Sequence, residues 1–387
     1  MYLERKLNCA IKNSLVNNPV TVIIGARQVG KTTLAKELLS NINDSLYLDL
    51  EKPSDRVKLT DAEQFLKVNN NKTICLDEIQ LLPDIFPVIR TIIDDKNFNI
   101  KFLITGSASP DLLRQSSQTL AGRIAYFELS SFLFNEASGI SNIESYWLRG
   151  GFPLSLFAKT DESSFEWRKN FILTFLERDL RNFGFNIPPQ TLGRLWKMVA
   201  HINGQIINYS QLSNSLGVSD TTVKNYLDVL SGTFMLRTLQ PYHFNIKKRL
   251  IKSPKLYFRD TGILNTLLNI IDFNELFSHP TYGSSWELLC LENILGSLSN
   301  WESFFYRTSN GNEIDLLLAK GNKRIAIEFK TSISPSVSKG FWNSLEDLNI
   351  DNAFIIAPVT QSYPYKNGVW VYPIEEFLLK CENSDFL

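Results

Sequence analysis

The sequence predicts an α/β protein in three parts, and three observations carry that reading. Short apolar runs, "VTVII" at 20–24, "SLYLDL" at 45–50, "TICLD" at 73–77 and "KFLIT" at 101–105, alternate with helical patterns in the N-terminal part. A mostly parallel sheet covered by helices has this alternation. Residues 190–258 read as helix, helix, a glycine turn, helix and two strands. Residues 261–387 return to α/β, with strands near 303–308, 312–319, 323–330, 353–357 and 369–372.

The first strand runs into "GARQVGKTT", Gly25 to Thr33, and then into a helix. This is a G-x-x-x-x-G-K-[ST] loop between a strand and a helix, the context that gives the motif its meaning. Backbone N–H groups along Gly25, Ala26, Arg27, Gln28, Val29, Gly30 and Thr33 would curl around phosphate oxygens, and the helix N-terminus adds partial positive charge. Lys31 is expected to reach the β- and γ-phosphates of ATP, and Thr32 to ligate Mg²⁺.

Such a P-loop needs a second carboxylate on the metal side. "TICLDEIQ" supplies it, with Asp77 to hold Mg²⁺ through water and Glu78 to polarise the attacking water. The next strand ends "LITGSAS", where Ser107, or alternatively Thr105, is placed for the γ-phosphate or the lytic water. Arg123, in "LAGRIAYFEL", reads equally as a stabiliser of transition-state charge, from the same chain or a neighbour, and as a structural ion-pair partner. Arg114 is a weaker candidate.

From about Leu129 to Phe185 the pattern is helical, with a break at Gly150-Gly151-Phe152-Pro153. Within Tyr209 to Tyr242, periodicity gives a helix at 210–216, a glycine turn, and a helix from about Asp220 to Leu230 with Ser219 as N-cap. This is a helix-turn-helix followed by a strand pair that resembles a wing. Between those strands, "NIKKRLIKSPK" holds Lys247, Lys248, Arg249, Lys252 and Lys255 and no acid. Contacts to the phosphate backbone of DNA need such a patch. Asp220, at the start of the second helix, would repel phosphate and leaves a protein-contact role open.

In "KRIAIEFKTS", Ile325, Ile327 and Phe329 share one strand face, and Ala326, Glu328 and Lys330 share the other. The preceding strand, "NEIDLLLA", joins it through "KG". A two-residue loop there pairs Ala319 with Asn322, which sets Asp315 opposite Ala326 and diagonal to Glu328. Two carboxylates and a lysine then reach one hard cation. Mg²⁺ held by Asp315 and Glu328 would activate water for phosphodiester attack, with Lys330 stabilising charge or orienting the water. A further glutamate is expected from "YGSSWELLCLENIL". Glu287 and Glu292 point about 140° apart on a helix, and Glu287 is preferred because it lies on a stripe with Leu291, Ile294 and Leu298.

Composition bounds the partners. Among 387 residues, forty basic and forty acidic side chains cancel, so any nucleic-acid surface is a local patch. The N-terminal stretch is too polar for a secretory signal, and no apolar run approaches the ~20 residues that cross a bilayer. Cys9, Cys75, Cys290 and Cys381 have no metal-site spacing, which argues against zinc and disulfides and suits a cytoplasmic protein without membrane contact.

Taken together, "GARQVGKTTL", "LDEIQLLP", "LITGSAS", "LAGRIAYFELSSF", "RGGFP", "YFRDTGI", "SSWELLCLEN" and "NEIDLLL…IAIEFK" resemble a prokaryotic family along nearly the whole chain. That family joins an AAA-type P-loop NTPase, a winged helix and a C-terminal domain of unknown function. The resemblance implies an AAA-type ATPase domain with helical lid at 1–188, a winged helix-turn-helix at 189–260, and a restriction-endonuclease-like PD-(D/E)xK domain at 261–387. It implies ATP binding. Ser107 departs from the Asn or Thr that AAA-type ATPases often carry there. Two functions compete: a nucleotide-controlled DNA-binding ATPase with a Mg²⁺-dependent nuclease, and an ATP-gated switch whose nuclease fold is inert and whose partner is another macromolecule or a homo-oligomer. A transcription regulator leaves the P-loop and the C-terminal carboxylates without a role.

Overall fold

The chain divides into two units, Met1–Phe132 with Gly232–Phe234, and Leu133–Ser231 with Met235–Leu387. The computed structural model describes residues 2–95, 97–107, 120, 122–243 and 252–382. Arg114, Lys247, Lys248 and Arg249 lie outside the described residues.

The first unit is built on five parallel strands: β1 (Val20–Ile24), β2 (Ser45–Asp49), β3 (Thr73–Asp77), β4 (Lys101–Gly106) and β5 (Ile124–Glu128). Their order is β2-β3-β4-β1-β5. β1, β3 and β4 are buried along nearly their whole length, as continuous apolar runs in a parallel sheet must be. Helices Leu7–Asn17, Lys31–Ser40 and Phe86–Asp94 cover the sheet through apolar stripes such as Phe86, Ile89 and Ile92. All five strands run the same way, so the loop after β1, the carboxylates ending β3 and the polar end of β4 share one edge. Ligands of open α/β sheets bind at that edge.

Arg123 does not share it. It precedes β5, whose Ile124 pairs with Val20, the first residue of β1. Arg123 is level with the residue before β1 and the phosphate loop begins after its last residue, so at about 3.3 Å per residue the two are separated by about 20 Å along the strand direction. Its Nε is 2.7 Å from Asp94 Oδ1. Arg123 therefore forms an ion pair away from the phosphate loop of its own chain, and the reading of it at a neighbouring chain's site stays a proposal.

The second unit is organised by a nine-stranded sheet: β6 (Gln205–Ile206), β7 (Leu236–Pro241), β8 (Lys255–Phe258), β9 (Glu302–Arg307), β10 (Glu313–Lys320), β11 (Lys323–Phe329), β12 (Ala353–Ile356), β13 (Tyr363–Lys366) and β14 (Val369–Tyr372). The order is β13-β14-β12-β11-β10-β9-β7-β8-β6. β7 and β9 pair in parallel, Gln240 with Phe304 and Pro241 with Phe305. The strands that follow the helix pair therefore continue into the C-terminal sheet. Its core packs Tyr306, Ile314, Leu317, Ala326, Phe341, Ile355 and Val371.

The helix pair Tyr209–Leu216 and Asp220–Gly232 turns at Gly217, in the left-handed region at φ 69°. Ser219 Oγ accepts the Thr222 N–H at 3.1 Å. The Asp220 carboxylate is held by the hydroxyls of Ser210 and Ser213, whose hydrogen bonds keep it below the ordinary carboxylate range.

Residues 133–188, read from sequence as a lid on the first domain, belong to the second unit. Gly150 adopts φ 73°, and a Cβ there would lie 2.1 Å from Asp260 Oδ1. Asp260 accepts the Gly151 N–H at 2.8 Å and caps the helix Thr261–Leu267 through the Ile263 N–H at 3.0 Å. Arg168, fully buried, donates to Thr266, Ser155, Ser164 and the Arg149 carbonyl. The "RGGFP" and "YFRDTGI" stretches are thus one structural joint. No helix among the described residues is long and apolar enough to cross a membrane.

Candidate functional sites

The first site lies at the carboxyl edge of the parallel sheet. Gly25 takes φ 154°, and a Cβ there would meet the Leu129 carbonyl oxygen at 2.2 Å. Gln28 and Gly30 also adopt positive φ, at 64° and 101°, which curls the backbone into a concave loop. Arg5 braces this loop from behind. Its guanidinium donates to the carbonyls of Val29 at 2.9 Å and Ser130 at 2.6 Å and lies over the Phe132 ring. Arg27 pairs with Glu51 at 2.8 Å. Lys31 is folded back, donating to the carbonyls of Gly25 at 3.0 Å and Ala26 at 2.7 Å. Burial lowers its pKa to about 8, against the pull of Glu78 and Asp77.

Thr32 Oγ1 donates to Asp77 Oδ2 over 2.7 Å. Asp77 also accepts from Tyr47 at Oδ2 and from Thr105 at Oδ1. Thr105 in turn accepts the Glu78 N–H at 3.1 Å, so this hydroxyl holds both acidic residues in place. Glu78 stands at φ 63°, a left-handed conformation that non-glycine residues adopt rarely and often at functional sites. Its carboxylate accepts from Ser107 Oγ at 3.1 Å and from Gln80 Nε2. Thr33 follows Thr32 in the helix Lys31–Ser40.

The residues fit ATP and Mg²⁺. The loop curls through the positive φ of Gln28 and Gly30, Lys31 donates to two backbone carbonyls, and Thr32 adjoins Asp77 as a metal-side pair. Thr32 and Asp77 would hold Mg²⁺, which when bound neutralises phosphate charge. Sequence reading missed Tyr47, Arg5 and Gln80. Tyr47 lies in β2 two residues before the strand's end and carries no motif.

The second site lies in the second unit. The structure brings Glu287, Asp315, Glu328 and Lys330 together. Glu287 comes from helix Tyr282–Ser297, buried nearly all round. The hairpin register is corrected by two residues: Lys320 pairs with Lys323 and Ala319 with Arg324, so Gly321-Asn322 forms the turn. The two-residue slip keeps side-chain parity, and the register carried on by one residue sets Asp315 opposite Glu328. Asp315 Oδ2 accepts the Phe329 N–H at 3.1 Å. Lys330 Nζ lies 2.8 Å from Glu328 Oε1. Glu328 Oε2 is buried with no hydrogen-bond partner. Burial, then the Asp315 charge, pushes Glu328 up to about 8, and burial pushes Glu287 up to about 7.

Three residues at this site were not in the sequence-based set. Lys255, expected in an exposed basic patch, has a side chain only 4% exposed, with Nζ 2.8 Å from Glu313 Oε1, 3.5 Å from Glu287 Oε1 and 3.6 Å from Asp315 Oδ1. The surface role is corrected because β8 runs inside the sheet. Tyr257, two residues on, donates to Glu287. Glu313 shares the Asp315 strand face by alternation, which is the signal that could have found it. Glu292 lies apart, paired with Arg237 and with Arg259 at 3.3 Å. Lys252 is exposed. Among the described residues, no three His, Cys, Asp or Glu side chains are arranged to hold a metal.

Comparison with known proteins places these sites in context. The AAA domain family matches residues 17–138, and two domains of unknown function match 140–274 and 282–377. An uncharacterised protein of Mycobacterium tuberculosis is 38% identical over 98% of this chain and 85% of its own length. An uncharacterised protein of Methanocaldococcus jannaschii is 24% identical over 97% of this chain and 88% of its own. Among solved structures, the Walker-type ATPase paby2304 of Pyrococcus abyssi aligns at TM-score 0.48 and 14% identity, over 69% of this chain and 96% of that one. With 38% identity along almost all its length, the chain belongs to the family of the mycobacterial protein, and its N-terminal part is an AAA-type P-loop ATPase domain.

Proposed function

We propose that the chain binds and hydrolyses ATP at its first site and that nucleotide state controls its contact with DNA. The observation that carries the hydrolytic reading is the Thr32–Asp77 hydrogen bond of 2.7 Å, with Glu78 beside it on Ser107. Lys31 would leave the Gly25 and Ala26 carbonyls for the phosphates. Glu78, positioned by Ser107 and Gln80, would accept a proton from the attacking water.

DNA contact rests on the helix pair and on β6, β7 and β8, an arrangement that resembles a winged helix, and on the basic run that includes Lys252. Asp220 is tied to Ser210 and Ser213, so its charge is partly satisfied within the pair. A Mg²⁺-dependent nuclease is the second reading, favoured by the buried, unpartnered Glu328 Oε2 beside Asp315. Those two carboxylates would hold the ion, and Lys330 would orient the water.

The purified protein is assayed for ATP hydrolysis, for ATP-dependent DNA binding, and for DNA cleavage with Mg²⁺ or Mn²⁺. Lys31→Ala should abolish hydrolysis and nucleotide-dependent binding, and Asp315→Ala should abolish cleavage. Hydrolysis unchanged in Lys31→Ala would contradict the first reading. Absence of cleavage under every condition, with hydrolysis intact, would leave an ATP-driven switch with an inert nuclease fold.

A further inference from the structure

We infer that Lys255 is the resident cation of the C-terminal carboxylate cluster, filling the place between Glu287, Glu313 and Asp315 that a divalent ion would otherwise take. The inference rests on the reading of that cluster as a cation site. It adds that only the Asp315–Glu328 side remains open to a metal.

Lys255 Nζ lies 2.8 Å from Glu313 Oε1, 3.5 Å from Glu287 Oε1 and 3.6 Å from Asp315 Oδ1. Three carboxylates face one compact charge at ammonium distances rather than the roughly 2.1–2.6 Å of Mg²⁺ or Ca²⁺, and with the lysine in place no three acidic side chains among the described residues are arranged to hold a metal. Chain topology brings the lysine there. β8 pairs with β7, β7 with β9, and β9 with β10, so β8 and β10 lie in one sheet, and the long Lys255 side chain reaches Glu313 and Asp315 at the start of β10. Tyr257 donates to the same Glu287 oxygen, so two side chains of β8 hold the helix glutamate. Burial on this scale without a partner would be costly for either sign of charge, which is why lysine and carboxylates occur together.

Glu328 is on the other side of this arrangement. One oxygen takes Lys330 at 2.8 Å, and the other is buried and unpartnered. That orphaned oxygen, with Asp315 beside it, marks the place where a further cation fits. Glu287, by contrast, has both Lys255 and Tyr257.

The test counts Mn²⁺ bound per full-length chain, by electron paramagnetic resonance of the free ion, in nucleotide-free wild type, Lys255→Met and Lys255→Arg. Lys255→Met should bind one ion more than wild type, and Lys255→Arg should match wild type. Equal counts in wild type and Lys255→Met would overturn the inference. A wild-type count that Glu328→Gln does not lower would instead contradict the metal reading of Asp315 and Glu328, and leaves the Lys255 comparison to be decided on its own difference. If Lys255→Met does not fold, adding Glu287→Gln or Glu313→Gln should restore the wild-type circular dichroism spectrum by removing the surplus carboxylate. Failure of both double variants to do so would also overturn it.

Discussion

Tyr47 and Thr32 donate to the same oxygen of Asp77, one from β2 and one from the helix that follows the phosphate loop. Asp77 is buried, and a carboxylate held by two hydroxyls on one oxygen, with Thr105 on the other, has its orientation fixed before any ligand arrives. Pre-organisation of this kind is what a metal-side acid needs. Tyr47 is the least motif-like part of it and offers a discriminating test.

Tyr47→Phe keeps the ring and removes the hydroxyl. A hydrogen bond to a charged group contributes about 1.5–3 kcal/mol, and each 1.4 kcal/mol is about tenfold in rate. ATP turnover should fall about tenfold or more with the far-ultraviolet circular dichroism unchanged. Turnover equal to wild type would reduce Tyr47 to packing.

The Glu292 network should be structural. Its carboxylate bridges Arg237 and Arg259 and is mostly buried. Glu292→Ala leaves two guanidinium groups without their acid, at a cost of about 3 kcal/mol. Urea unfolding should show that loss, while ATP affinity stays within error of wild type.

Gly150→Ala forces a Cβ onto Asp260 Oδ1 and a side chain into φ 73°. The joint between "RGGFP" and "YFRDTGI" should loosen, with a loss of about 2 kcal/mol or more and a lowered Tm by calorimetry. Gly139→Ala, with open space around its Cβ position, is the control and should change Tm little.

Asp220 provides a pH test. Hydrogen bonds from Ser213 and Ser210 depress its folded pKa. An acid depressed on folding contributes stability that is present above its unfolded pKa and is lost as pH falls through the folded value. The stability difference between wild type and Asp220→Asn should therefore be constant near neutrality and shrink on the acid side of the carboxylate range. In a Ser210→Ala, Ser213→Ala background the difference should be small at every pH.

How much of this was legible in the sequence depends on where the determining interactions lie. β1, β3 and β4 were readable nearly to the residue because strands buried on both faces are written as unbroken apolar runs. β5, half-exposed along "IAYFE", gave only an apolar run. The P-loop residues and the Asp77-Glu78 pair were legible because their chemistry is local. Arg123 was not, because its distance from the loop follows from parallel pairing to the start of β1. The hairpin register slipped because "KG" and "GN" are both plausible turns, yet Asp315 and Glu328 still share a face since an even slip preserves alternation. Lys255 was legible only as part of a basic run, and nothing local pointed to its place among the carboxylates. Its partners lie 32 to 60 residues away, and only the pairing of β7 with β9 joins them.

The central claim is that the first site hydrolyses ATP with Glu78 as the residue that activates water. The direct measurement is ATP affinity and steady-state hydrolysis for wild type and Glu78→Gln side by side. The account predicts that Glu78→Gln binds ATP as wild type does and loses at least about a hundredfold in turnover, the range expected when a general base is removed. Turnover retained in Glu78→Gln, at unchanged affinity, would contradict it.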